Sequence, residues 1–93
     1  MKTYKIIEIL HSGRKGIRNT PVKDSKYNQM IGSIIECDLE YVEQFKPLKW
    51  WFKDHPFYEV WHTSEVLALL RDFENDLLYL ETVNTIYVLK EII

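Results

Sequence analysis

The sequence predicts a mainly β domain, with five to six short strands curled into a compact barrel or an antiparallel meander and room for one short helix. Three observations lead there. Six segments rich in β-branched and aromatic residues recur at near-regular spacing. Turn-forming residues separate them, and no long stretch keeps a secure helical period. The 93 residues are 46% hydrophobic and 14% aromatic, enough apolar material to close one core and too few residues for a second.

Thr3 to His11 is isoleucine-rich and unbroken, with Ile6, Ile7, Ile9 and Leu10 on both faces. That suits a strand covered on two sides or wrapped into a small barrel. Ser12-Gly13 ends it. Residues 14–28 are polar and basic and contain Gly16 and Pro21, so they read as one long loop with a short extended piece at Ile17 to Thr20. Met30 to Cys37 is the second strand, with Gly32 marking a bulge or a close backbone approach.

Asp38 to Gln44 suits a single helical turn capped by Asp38. Leu48 to Lys53 is the third strand, opened by Pro47. Its alternation sets Leu48, Trp50 and Phe52 on one face and Lys49, Trp51 and Lys53 on the other. Asp54-His55-Pro56 is a turn, and Phe57 to Thr63 the fourth strand. Residues 64–75 admit two readings. Val66, Leu69, Leu70 and Phe73 have helical spacing behind a potential Ser64 cap, whereas the flanking strands favour a continued meander. Leu77 to Thr82 and Thr85 to Ile92 form a hairpin about Val83-Asn84, where asparagine tolerates positive φ.

The stability expected of a single domain this small is on the order of 5–10 kcal/mol. Its composition is not that of a disordered chain. A net charge of −2 argues against a general nucleic-acid binder. The distribution is uneven, however. Residues 1–26 carry seven basic groups against Glu8 and Asp24, and the remainder carries five basic against twelve acidic. Such asymmetry orients a partner electrostatically.

Cys37 is the lone cysteine, so no intrachain disulfide forms. Small secreted domains usually depend on such bridges, and the expected location is the reducing cytoplasm. The N-terminus lacks the apolar core and small-residue cleavage site of a signal peptide. No apolar run approaches the ~20 residues of a membrane helix.

Val60-Trp61-His62-Thr63-Ser64-Glu65-Val66, followed by Leu80-Glu81-Thr82-Val83-Asn84-Thr85-Ile86-Tyr87-Val88-Leu89, resembles a pattern found in many short bacterial and phage proteins. A hydrophobic strand ends in Thr-Ser-x-Val, and Thr-x-Asn-Thr-x-Tyr-x-Leu follows. Gly16-Ile17-Arg18-Asn19-Thr20 and Ile31-Gly32-Ser33 look like its N-terminal half. The resemblance implies a small SH3-like barrel with residues 65–73 as strand, and it carries no activity with it. The motif also has a purely architectural reading. Thr and Ser at strand ends bond neighbouring backbone, and Asn permits a tight turn.

Catalytic signatures are weak. Cys37 with His11, His55 or His62 is a formally possible nucleophile–base combination, yet no Gly-flanked nucleophile turn accompanies it. A lone cysteine in an apolar strand is ordinarily buried filler. His55, His62 and Cys37 lack the close pairing of a structural zinc site. Gly13, Gly16 and Gly32 form neither a P-loop nor a dinucleotide fingerprint. The expectation is a protein that is not an enzyme, with no cofactor and no metal.

Two features point to a partner. The first is the aromatic group Trp50, Trp51, Phe52, Phe57, Tyr58 and Trp61, in which Trp51 shares its face with Lys49 and Lys53. The second is the basic loop containing Arg14, Lys15 and Arg18 and continuing to Lys23 and Lys26. Arg14, Lys15, Arg18, Lys49 and Trp51 are therefore the candidate contacts. The leading expectation is a binding or accessory module acting through protein–protein contacts or self-association. The alternative is a single-stranded nucleic-acid binder using the loop cations and stacking aromatics.

Overall fold

Extended segments bury their alternate residues only when the sheet they form curls around them, and here the curling goes to closure. A computed structural model of the chain describes residues 1–12 and 20–92. The strands are β1 (Lys2–His11), β2 (Ile34–Cys37), β3 (Pro47–Lys53), β4 (Val60–Asp72), β5 (Leu77–Thr82) and β6 (Thr85–Ile92). Each pairs antiparallel with the next, and β6 returns to β1, giving a closed six-stranded meander. The fold is thus the mainly β barrel that the strand spacing predicts. No helix among the described residues is long and apolar enough to cross a membrane.

The interior is filled by one face of every strand. Tyr4, Ile6 and Ile9 come from β1, Ile35 and Cys37 from β2, Trp50 from β3, Val66 from β4, Leu78 and Leu80 from β5, and Tyr87 and Leu89 from β6. Trp50 stands edge-on to Tyr87, with ring centroids 4.8 Å apart. The predicted division of β3 holds. Trp50 is buried and Leu48 and Phe52 partly so, while Lys49, Trp51 and Lys53 face out.

Two of the strands carry bulges, and these explain the ambiguous reading of residues 64–75. In β4 the register against β3 slips between Pro47↔Glu65 and Lys49↔His62, and against β5 between Val66↔Thr82 and Ala68↔Glu81. An extra residue in a strand sets successive inward positions three apart rather than two. Thr63, Val66 and Leu69 are inward at that interval, which imitates a helical turn. A helix is not formed: Leu70 and Phe73, the next members of its supposed apolar face, are 60% and 84% exposed. β1 has the same device between Ile6 and Glu8, with Ile6 and Ile9 both inward.

Other boundaries differ locally. The second strand begins at Ile34 rather than Met30, because Gly32 adopts φ +87° and turns the chain there. Gly32 N–H donates to Ile6 O at 2.7 Å and Ser33 O accepts from Ile6 N–H at 3.0 Å, so the turn extends the β1 ladder. Within the predicted 14–28 loop, Ser25–Asn28 forms a short helix (α1), capped by Asp24 accepting from Lys26 N–H at 3.0 Å. Residues 13–19, most of the basic part of that loop, lie outside the described residues.

The predicted turn after Asp38 is a 3₁₀ turn at Leu39–Tyr41, without a side-chain cap from Asp38. Asn84 does not take positive φ. The β5–β6 turn is held instead by Thr82, whose Oγ accepts from Thr85 N–H at 3.1 Å and donates to Thr85 O at 2.8 Å. Asn84 N–H donates to Ser64 Oγ at 3.2 Å, and Leu48 N–H to Thr63 Oγ at 2.9 Å. These hydroxyls serve the architecture.

Candidate functional site

Strand alternation alone places Lys49, Trp51 and Lys53 on the outer surface of β3. Lys49 Nζ lies 4.8 Å above the Trp51 ring, a cation–π contact that orients an indole still 39% exposed. Across the sheet Trp51 stands between Glu36 of β2 and Val60 of β4, and Lys49 opposite His62. Lys53 Nζ is 3.6 Å from Glu36, so one of the two flanking cations is already paired. Of the five predicted contact residues, Lys49 and Trp51 are brought together. Arg14, Lys15 and Arg18 belong to the segment outside the described residues.

A groove of about 400 Å³ adjoins this face at Lys53. Ile34, the cross-strand partner of Lys53, lies in its wall, with the 29–33 turn on one side and the 54–57 connection on the other. Asp54 adopts φ 59°, the left-handed conformation that asparagine and aspartate tolerate best, and so reverses the chain at once after β3. His55 then ties the two walls together. Its Nδ1 lies 3.0 Å from both Phe57 N–H and Tyr58 N–H, which can only donate to it. The ring hydrogen therefore sits on Nε2, donating to Gln29 O at 2.9 Å.

This tether leaves Phe57 75% exposed and Ile31 42% exposed on the groove rim. Behind them the aromatic rings run in sequence. Tyr27 meets Trp61 at 5.8 Å, Trp61 meets Tyr58 at 5.8 Å, and Tyr58 meets His55 at 4.9 Å. Trp61 Nε1–H donates to Tyr87 Oη at 3.1 Å, anchoring the row to the core. Sequence reading missed Ile31, weighed His55 only as a base or zinc ligand, and placed Phe57 in a strand, within the aromatic group that points to a partner. The available signal was the run Asp54-His55-Pro56-Phe57, in which a histidine with both ring nitrogens free to bond backbone stands in a turn.

Burial pushes the Cys37 thiol up to about 12, so it is a poor nucleophile at neutral pH. Burial likewise raises Tyr87 to about 12. No group of three or more His, Cys, Asp or Glu side chains gathers into a metal site among the described residues. Replacing His55 by alanine is expected to unfasten the groove. The amides of Phe57 and Tyr58 should lose hydrogen-exchange protection, and stability should fall by about 1–2 kcal/mol, with the barrel amides of β5 and β6 unchanged. Comparisons with family models, curated proteins and solved structures find no match to the chain.

Proposed function

We propose that the protein is a non-enzymatic binding module that engages a protein partner through the outer face of β3 and the adjoining groove. The observation that carries this reading is the exposed Trp51 indole, set under Lys49 on the strand face whose Lys53 borders a groove rimmed by Phe57 and Ile31. Large aromatic side chains that are already oriented lose little freedom on association, and such residues dominate the binding energy of protein interfaces. The lone buried Cys37 and the lack of disulfides favour a reducing compartment for this activity.

The single-stranded nucleic-acid reading draws on the same indole, because Lys49 and Lys53 flank it. The ion pair of Lys53 with Glu36 weakens it. Salt separates the two readings. Partner capture through an aromatic interface persists at high ionic strength, whereas phosphate-driven binding decays steeply. In an affinity capture with the intact chain, Trp51→Ala and Phe57→Ala are each expected to weaken retention of a salt-resistant protein partner about 30-fold, as for a hot spot near 2 kcal/mol. Retention of the same protein by both variants would remove this reading. Oligonucleotide binding that depends on Trp51 and disappears with salt would replace it by the nucleic-acid one.

A further inference from the structure

The barrel is closed, yet β4 outruns the strand beside it. The β3–β4 ladder ends at Pro47↔Glu65. Backbone contacts carry that side one step further: Phe45 N–H donates to Val66 O at 2.7 Å and Val66 N–H to Lys46 O at 3.0 Å. The Gln44 side chain then donates to Leu67 O at 3.2 Å. From Ala68 to Asp72, β5 is the one ladder partner among the described residues. Among the described residues, then, these five residues of β4 present an open strand edge, which is a template for a further strand.

The flanks of this edge are apolar and exposed. Phe45 is 67% exposed at one end and Phe73 is 84% exposed at the other. Leu70, 60% exposed, lies between them and points outward because its neighbour Leu69 packs on the core. Phe45 also holds φ 68°, a conformation that a bulky residue adopts only against strain, and it does so while donating to Val66.

The charges along the edge select the occupant. Asp72 ends the strand and Glu74 and Asp76 follow it in the turn, with Glu65 at the other end, whereas Arg71 is the one cation on the edge and stacks over Phe73 at 5.7 Å. Lys46 and Glu43 pair with each other at 2.9 Å. Hydrogen bonds from the Asn75 side chain, then from the Asn75 and Glu74 backbone amides, hold Asp72 below the usual carboxylate range. A second copy pairing antiparallel on the same edge lays one acidic hairpin tip over Glu65 of the other. Like charges then face each other, which disfavours it.

We propose that the open edge of β4, residues 68–72, binds an extended basic segment of another protein as an added strand. Main-chain hydrogen bonds supply the pairing. An apolar residue of the segment covers Leu70 on the outer face, another meets Phe73 at the strand's end, and its Lys or Arg residues meet Asp72, Glu74 and Asp76. This surface is separate from the Trp51 face.

The test uses the isotope-labelled intact protein and two blocked octapeptide probes, one alternating Val and Lys, the other Val and Glu. The Val-Lys peptide is expected to shift and protect the amides of residues 67–73. The response should weaken about tenfold in Leu70→Ser and Phe73→Ser, a loss of about 1.4 kcal/mol, and also at high ionic strength. Both substituted side chains are exposed, so the fold should persist, and circular dichroism checks that it does. Trp51→Ala should leave the response intact, which separates this outcome from that of the proposed function. No shift at millimolar peptide, or an equal response to the Val-Glu peptide, would overturn the proposal. Protection of the same amides by concentration-dependent dimerisation alone would assign the edge to a second copy and overturn it too.

Discussion

Trp50→Ala is expected to leave the domain at the margin of folding. Trp50 is fully buried at the centre of the barrel, edge-on to Tyr87 and paired across the sheet with Trp61. Truncating a buried tryptophan removes its apolar contacts and leaves a cavity, at a typical cost of about 3–5 kcal/mol. Against a total on the order of 5–10 kcal/mol, that is most of the available stability. Trp50→Phe should be much milder. The Trp50 Nε1–H is buried without a hydrogen-bond partner among the described residues, and phenylalanine removes that unsatisfied donor while keeping an aromatic ring beside Tyr87. Urea denaturation followed by far-UV circular dichroism measures both. Equal midpoints for Trp50→Ala and the natural chain would contradict the placement of this ring.

The second large effect is alkaline unfolding. Cys37 and Tyr87 are buried as neutral acids, and burial is the leading cause that raises each to about 12 from ordinary values of 9.0 and 10.0. Burial also raises Tyr4. When the folded value exceeds the unfolded one, the unfolded chain releases protons first as pH rises. Stability is then complete below about pH 9 and falls as pH climbs toward the folded values. At 1.36 kcal/mol per pH unit, Cys37 alone accounts for a loss on the order of 4 kcal/mol by pH 12. The domain should therefore unfold cooperatively between about pH 10 and pH 12. Cys37→Val should shift that transition upward, because the variant has no thiol to ionise. In the native protein at pH 8, Cys37 should react with a thiol reagent only as fast as the barrel opens. Prompt stoichiometric modification at that pH would contradict its burial.

Much of the barrel was legible because strand alternation is written in side-chain chemistry. The run Pro-Leu-Lys-Trp-Trp-Phe-Lys assigns Trp50 to the core and Trp51 to the surface before any partner strand is known. The β-branched and aromatic run of residues 85–92 and the break at Val83-Asn84 likewise placed the β5–β6 hairpin, although Asn84 does not take the positive φ that this reading gave it. By contrast, Val66, Leu69, Leu70 and Phe73 gave a helical spacing that belongs to a bulged strand. The register slips that create it exist only once β3 and β5 lie alongside β4.

The sequence by itself determined the fold class, the burial of Cys37 and Trp50 and the outward pairing of Lys49 with Trp51, since each follows from residue type and a two-residue period. Only the tertiary structure decided that the meander closes on itself, that His55 bonds two loops distant in the chain into a groove, and that β4 extends beyond its β3 ladder. Those features depend on which backbone groups meet across the sheet. Backbone N–H and C=O groups are the same at every residue but proline, so no local pattern of side chains announces where their partners will be.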